Sequence, residues 1–202
     1  MRKTETKTLY LAAAMLIFIT LLICLPRISM GIERSRTTTN AQGQAVSSTV
    51  DSGLYMSLGD LGIFVAASLL GSPFGFLTAA LASAFSNLFV GSYIYILPSM
   101  IIKGAMAGLA CALYKKNQFE WAALTKTILW CSLLSMLGYF IFDLMIMGSY
   151  AVAALALPFN MLQTIVNGLI ALPVLKATSG LSYYYRAGDK FNYGLPRNYR
   201  VK

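Results

Sequence analysis

Apolar residues run almost unbroken along this chain, and the few polar interruptions divide it into segments. A first apolar stretch covers about Leu9 to Leu25 and stops at Pro26-Arg27. A polar connection of roughly thirty residues follows, rich in Ser, Thr, Asn and Gln, and connections that long are usually functional or without fixed structure. The apolar signal resumes at Leu54 and continues with hardly a charge to Leu97. That is too long for one membrane helix of about 20 residues. The punctuation Gly71-Ser72-Pro73 and Gly75 predicts a tight turn between a second and a third helix, because Gly permits positive φ and Pro ends the preceding helix. Gly91-Ser92 predicts the next turn. A fourth helix runs from about Tyr93 to Tyr114 and ends in Lys115-Lys116, and a fifth covers about Leu124 to Met147. Gly148-Ser149 turns into a sixth, about Tyr150 to Leu175.

The expected fold is therefore all-α: a polytopic membrane protein of six transmembrane helices. The expected organisation is a membrane domain over residues 1–176, with a long external loop at about 26–56, and a basic, Tyr-rich tail over 177–202. Composition agrees. Hydrophobic residues make up 57% and charged residues 11%, with a mean hydropathy of +0.66, against about 25% charged in soluble domains. A length of 202 residues leaves no room for a separate soluble domain.

Charge changes the picture by setting orientation. Arg2, Lys3 and Lys7 precede the first helix, Lys115, Lys116 and Lys126 flank the connection between the fourth and fifth, and six basic residues lie from Lys176 onward. The opposite side holds Arg27, Arg34 and Arg36. Excess Lys and Arg marks the cytoplasmic side, so both termini are expected there and the long polar loop outside. The net charge of +9 is explained by this bias, and no nucleic-acid partner is expected. The first apolar stretch lacks a small-x-small cleavage site and reads as a retained helix.

Candidate chemistry lies in the polar residues inside the apolar stretches. A polar group in hydrocarbon normally faces a bundle interior or a cavity. Asn87 falls near the outer end of the third helix, and Tyr93 and Tyr95 open the fourth from the same side. Tyr139 and Asp143, four apart on one helix face, occupy the outer half of the fifth. Asn160 and Gln163 lie near the middle of the sixth, with Asn167 one turn further in. Lys103 is roughly 15 Å down the fourth helix at 1.5 Å per residue. Together they offer aromatic faces, amides, a carboxylate and an ammonium, which suits a flat, polar, heteroaromatic small molecule beneath the long loop. Structural readings stand beside this one. The three amides of the sixth helix can join helices, Asp143 and Lys103 can form an ion pair, and Tyr93 and Tyr95 can be interfacial belt residues. Asp60 reads equally as a helix cap or a ligand contact. Gly104 and Gly108 form a GxxxG pair for close helix approach.

Several chemistries are excluded or weakened. The chain has no histidine, which removes His-based triads and the commonest zinc ligand. Cys24, Cys111 and Cys131 lack metal-ligand or CxxC spacing and read as buried hydrophobes. An intramembrane aspartyl protease built on Asp60 and Asp143 is disfavoured, because the sequence reads SLGD rather than GxGD. A stand-alone carrier with Asp143 as a proton site remains an alternative.

The order of these elements resembles the substrate-binding S components of energy-coupling-factor (ECF) vitamin transporters. The resemblance rests on Gly59-Asp60 with the exit LLGSPFG, on SNLFVGSYIYILPSMIIKG, on GYFIFD, and on LPFNMLQTIVNGLIALPVLKA. It covers most of the chain from Leu58 to Lys176 and is closest in look to the hydroxymethylpyrimidine and pyridoxine members, with pantothenate or another vitamin as alternatives. It implies a non-enzymatic vitamin-capture subunit in a bacterial plasma membrane. Its implied partners are a membrane-embedded T component and two ABC ATPases, which use the ATP; no cofactor or metal is implied for the chain itself. The implied substrate-binding residues are Asn87, Tyr93, Tyr95, Lys103, Tyr139, Asp143, Asn160, Gln163 and Asn167. Partner docking through the first helix would use Thr8, Ala12 and Ala13, the nearest substitute for the family's AxxxA pair. Asn87 stands where many relatives have Asp, Asp143 where many have Glu, and the first loop is longer than usual.

Overall fold

Gly71 and Gly91 end helices where the sequence places turns. A computed structural model describes residues 3–25, 28–29, 33–39, 45–51, 55–117, 120–147 and 150–178. Six α-helices make up its bulk: α1 (Lys3–Cys24), α2 (Gly59–Leu70), α3 (Phe74–Val90), α4 (Ile96–Asn117), α5 (Trp121–Met147) and α6 (Tyr150–Ala177), with a 3₁₀ turn (Tyr93–Tyr95) leading into α4. Gly71 (φ 65°) follows α2 and Gly91 (φ 79°) caps α3, a backbone region that side chains with a Cβ seldom enter. The expected stop at Pro26-Arg27, the turn at Gly148-Ser149 and the tail from residue 179 lie outside the described residues.

The long connection, expected as a polar loop, contains strands. β1 (Ile28–Ser29) pairs antiparallel with β4 (Tyr55–Met56), and β2 (Glu33–Thr39) pairs antiparallel with β3 (Ala45–Asp51) from Glu33↔Asp51 to Thr39↔Ala45. The β-branched residues Thr37, Thr38, Thr39, Val46, Thr49 and Val50 favour this pairing. The helical part is all-α as expected, and the strands are confined to the connection.

Four helices contain segments long and apolar enough to cross a membrane: Thr6–Cys24, Tyr93–Tyr114, Trp121–Met145 and Ala153–Ala177. The other two are shorter. At 12 residues, α2 is about 18 Å long, against a hydrocarbon core of about 30 Å. Ten of its twelve residues are buried, because it touches α1, α3, α4 and α6. It is the central helix.

Small residues permit that centrality. A Cβ on Gly59 would overlap the Ile23 side chain, and one on Gly62 would crowd Ile19, so α1 lies directly on α2. Gly104 and Gly108 of α4 face Phe76 of α3, as the GxxxG spacing predicts. The core joins Met15, Ile19, Ile63, Phe64, Met106 and Leu124. Outward positions are apolar too: Leu9, Ile17, Phe18 and Leu21 on α1, and Leu129, Leu133, Leu137 and Ile141 on α5 are exposed. An apolar exterior around a core that contains Asp60, Lys103, Asn87 and Asn167 is the arrangement lipid imposes.

Candidate functional site

The polar groups converge at one end of the bundle. The start of α2, the end of α3, the start of α4, the end of α5 and the first half of α6 meet around a cavity. Its volume is about 50 Å³, room for a few water molecules. Seven of the nine expected binding residues line it: Asn87, Tyr95, Lys103, Tyr139, Asp143, Asn160 and Gln163.

The charged groups are not paired as the structural alternative for Asp143 and Lys103 would have it. Lys103 does not pair with Asp143. Its Nζ lies 2.6 Å from Asp60 Oδ1, with the two side chains 7% and 1% exposed. The second Asp60 oxygen accepts from Thr164 Oγ1 at 2.7 Å and from Gln163 Nε2 at 3.4 Å. Asp60 is no helix cap either: the cap position of α2 is Leu58, with no side-chain cap bond. As an acid in the first turn it is favoured by the helix dipole, and its carboxylate joins α2 to α4 and α6. The Lys103 ammonium also sits 5.3 Å from the centroid of the Tyr139 ring, within cation–π range.

Asp143 instead accepts from the Tyr95 hydroxyl at 2.9 Å. Tyr139, one turn earlier on α5, donates its hydroxyl to Ser99 Oγ at 3.0 Å. Asn87 Nδ2 donates to the Ser83 carbonyl at 3.0 Å and to the Tyr95 carbonyl at 3.3 Å, which anchors the 3₁₀ turn to α3. Asn160 is half-buried, and its side chain makes no hydrogen bond among the described residues. Its amide is the group most available to a ligand.

Two expected binding residues lie elsewhere. Tyr93 is 66% exposed and turns away from the cavity, while Tyr95, two residues on, turns in. Asn167 is buried outside the lining, and its amide is used on backbone: Nδ2 donates to Ser57 O at 2.9 Å and Gln163 O at 2.8 Å, and Oδ1 accepts from Leu61 N at 3.2 Å. It joins helices rather than facing the cavity. The expected docking set is also split. Ala12 is buried in the core beside Met15 and Ile19 and Thr8 is half-buried, leaving Ala13 and Ala14 as the outward small residues of this stretch.

Sequence reasoning missed Ser57, Ser83, Ser86 and Ser99 as lining residues, and left Asp60 undecided. The serines carry no signal, since small hydroxyls are common in membrane helices. Asp60 had one: a lysine deep in an apolar helix needs a counter-charge, and Asp60 and Asp143 were the two carboxylates in apolar segments available to supply it.

A family model described as ECF-type riboflavin transporter, S component, matches residues 44–179. The matched range takes in α2 to α6 and every residue lining the cavity except Ile23; α1 lies before it. The description names riboflavin, not the hydroxymethylpyrimidine or pyridoxine members that the sequence pattern suggested. No curated protein matches the chain.

Proposed function

From the membership of this chain in the S-component family of ECF transporters, shown by the match over residues 44–179, we propose that it captures a flavin-type vitamin, riboflavin first, in the cavity between α2 and α6. The observation that carries this reading is the convergence of the Tyr139 ring, the Lys103 ammonium and the Asn160 and Gln163 amides at one end of an apolar bundle. A heteroaromatic ring system offers carbonyl oxygens and ring nitrogens to such donors and a π-face to the tyrosines. Asn87, Tyr95, Lys103, Tyr139, Asp143, Asn160 and Gln163 form the binding set.

A specific observation favours a second reading. Free space of about 50 Å³ suits a one-ring compound, such as hydroxymethylpyrimidine or pyridoxine, better than a three-ring one unless the cavity widens on binding.

In either case all six helices lie in the membrane with both termini cytoplasmic, supported by Lys and Arg at Arg2, Lys3, Lys7, Lys126 and Lys176. Delivery to the cytoplasm depends on a T component and two ABC ATPases, which consume the ATP, and the chain itself performs no chemistry on its cargo.

The deciding experiment is thermal unfolding of the detergent-purified protein with riboflavin, hydroxymethylpyrimidine, pyridoxine and pantothenate. A ligand at a thousandfold excess over Kd stabilises by about 4 kcal/mol. A large shift with riboflavin alone establishes the flavin reading, and a shift with a one-ring compound alone establishes the second. No shift with any of them overturns both.

A further inference from the structure

Lys103 does not face the cavity as a bare cation. It is committed to Asp60 at 2.6 Å, and Asp60 is itself fixed by Thr164 and Gln163 from α6. On its other sides the ammonium meets the Tyr139 ring at 5.3 Å and Met106 Sδ at 3.9 Å. The remaining charged group in the lining is the Asp143 carboxylate, which accepts from Tyr95 on α4's leading turn. The cavity wall thus presents two carboxylates, one ammonium and the electron-rich face of a tyrosine.

An anion approaching Lys103 meets the Asp60 carboxylate, 2.6 Å from the ammonium, and the Tyr139 π-face, centred 5.3 Å from it. Inside a bundle these repulsions are screened far less than in water, and Lys103 cannot leave Asp60 without exposing a buried, uncompensated charge. A neutral acceptor, such as a ring carbonyl or ring nitrogen, can take a Lys103 N–H and leave the pair intact. Specificity built from repulsion of the wrong ligand is as effective as attraction of the right one.

We propose that the Asp60–Lys103 pair is a charge filter, by which the cavity admits an uncharged heteroaromatic edge and rejects analogues carrying a carboxylate or phosphate at that edge, with Asp60 as the specificity-determining residue. The inference rests on the capture-site reading for its ligand class, but its test does not depend on which vitamin binds. Formate and methylammonium are small enough for the cavity and copy the two halves of the pair.

The purified protein is unfolded thermally with increasing sodium formate, the ionic strength being held constant with sodium gluconate. The wild-type midpoint does not respond to formate. In D60N, formate replaces the missing carboxylate beside Lys103, and the midpoint rises in a saturable way. The double variant D60N/K103M loses that rise. In K103M, methylammonium gives the mirror-image rescue beside Asp60.

Saturable stabilisation of the wild type by formate, abolished in K103M, overturns the proposal, because the cavity then accepts anions with Asp60 in place. A folded D60N that gains nothing from formate overturns it equally. Where D60N does not fold, K103M with methylammonium decides by the same criterion, and where neither single variant folds the wild-type titration decides. A vitamin screen without a hit defeats the capture reading yet leaves these results standing, since both probes report on the pair itself.

Discussion

The side-chain amide of Asn167 on α6 closes around the backbone of Ser57, where the β4 strand passes into α2. Asn167 Nδ2 donates to the Ser57 carbonyl at 2.9 Å, while the Ser57 N–H donates to Gln163 Oε1 at 3.1 Å. Two amides one turn apart thus take both backbone groups of a single residue, and Asn167 Oδ1 also accepts the otherwise orphaned N–H of Leu61 at 3.2 Å. The first turn of any helix leaves its N–H groups without intrahelical partners, and here α6 supplies one.

Replacing Asn167 by Ala strips this partner from the Ser57 carbonyl and the Leu61 N–H, at about 1–3 kcal/mol for each group stranded. The expected outcome for N167A is a clearly lowered unfolding midpoint in detergent. Because the amide does not line the cavity, ligand affinity in the fraction that remains folded changes much less. A normal midpoint with lost binding would place Asn167 in the ligand site instead.

Tyr93 and Tyr95 separate the interfacial role from the binding role. Tyr95→Phe deletes the hydroxyl that donates to Asp143, and loss of a hydrogen bond to a charged group is worth about 1.5–3 kcal/mol. Titration calorimetry with the cognate vitamin is expected to show Y95F weakened tenfold or more. Tyr93 is exposed, so Y93F is expected to bind like the wild type.

Asn160 and Asp143 are the sharpest test of recognition. A site that hydrogen-bonds a buried group loses far more when that contact is removed than an apolar wall loses on trimming. Asn160→Ala and Asp143→Ala are each expected to cost at least tenfold in affinity, with Ile23→Val at the cavity edge costing little. Unchanged affinity in both polar variants would remove the site proposed for this cavity.

The packing of α6 on α5 gives a prediction with a built-in rescue. A Cβ on Gly168 would overlap the side chain of Ile128, itself 3% exposed. Overpacking a close interface costs typically about 1–3 kcal/mol, so G168A lowers the unfolding midpoint. Trimming the neighbour in G168A/I128A recovers part of it, whereas I128A alone destabilises. Additive losses in the double variant would show that the two positions do not share the space.

Much of this architecture was legible before the fold was known, because its markers are local. Gly71, Pro73 and Gly91 break the apolar run where the chain must turn, and the helix ends fall within a few residues of those breaks. Most of the site was legible for the same reason, since a polar residue in an apolar helix has few places to point. What stayed hidden was the choice among those places. Tyr93 and Tyr95 differ only by the rotation of a short 3₁₀ turn, and Ala12 and Ala13 by the 100° that separates adjacent residues on a helix. Asn167 reads the same whether its amide meets a ligand or a backbone. The partner of Lys103 was decided by tertiary packing, which brings α2 against both α4 and α6, and no local pattern records that. The strands of the first connection were masked by its polarity, which suggested a loop although its β-branched residues favour pairing.

The short, wholly enclosed α2 has a consequence for how the protein enters its membrane. At about 18 Å it does not span the hydrocarbon by itself, and it carries an aspartate, a residue that opposes insertion by about 2.5–3.5 kcal/mol at a helix centre. The ammonium that neutralises Asp60 is translated 43 residues later, and the Thr164 hydroxyl that completes its shell 104 residues later. For this segment insertion and folding are coupled, and α2 gains its full set of partners only once α4 and α6 have been made.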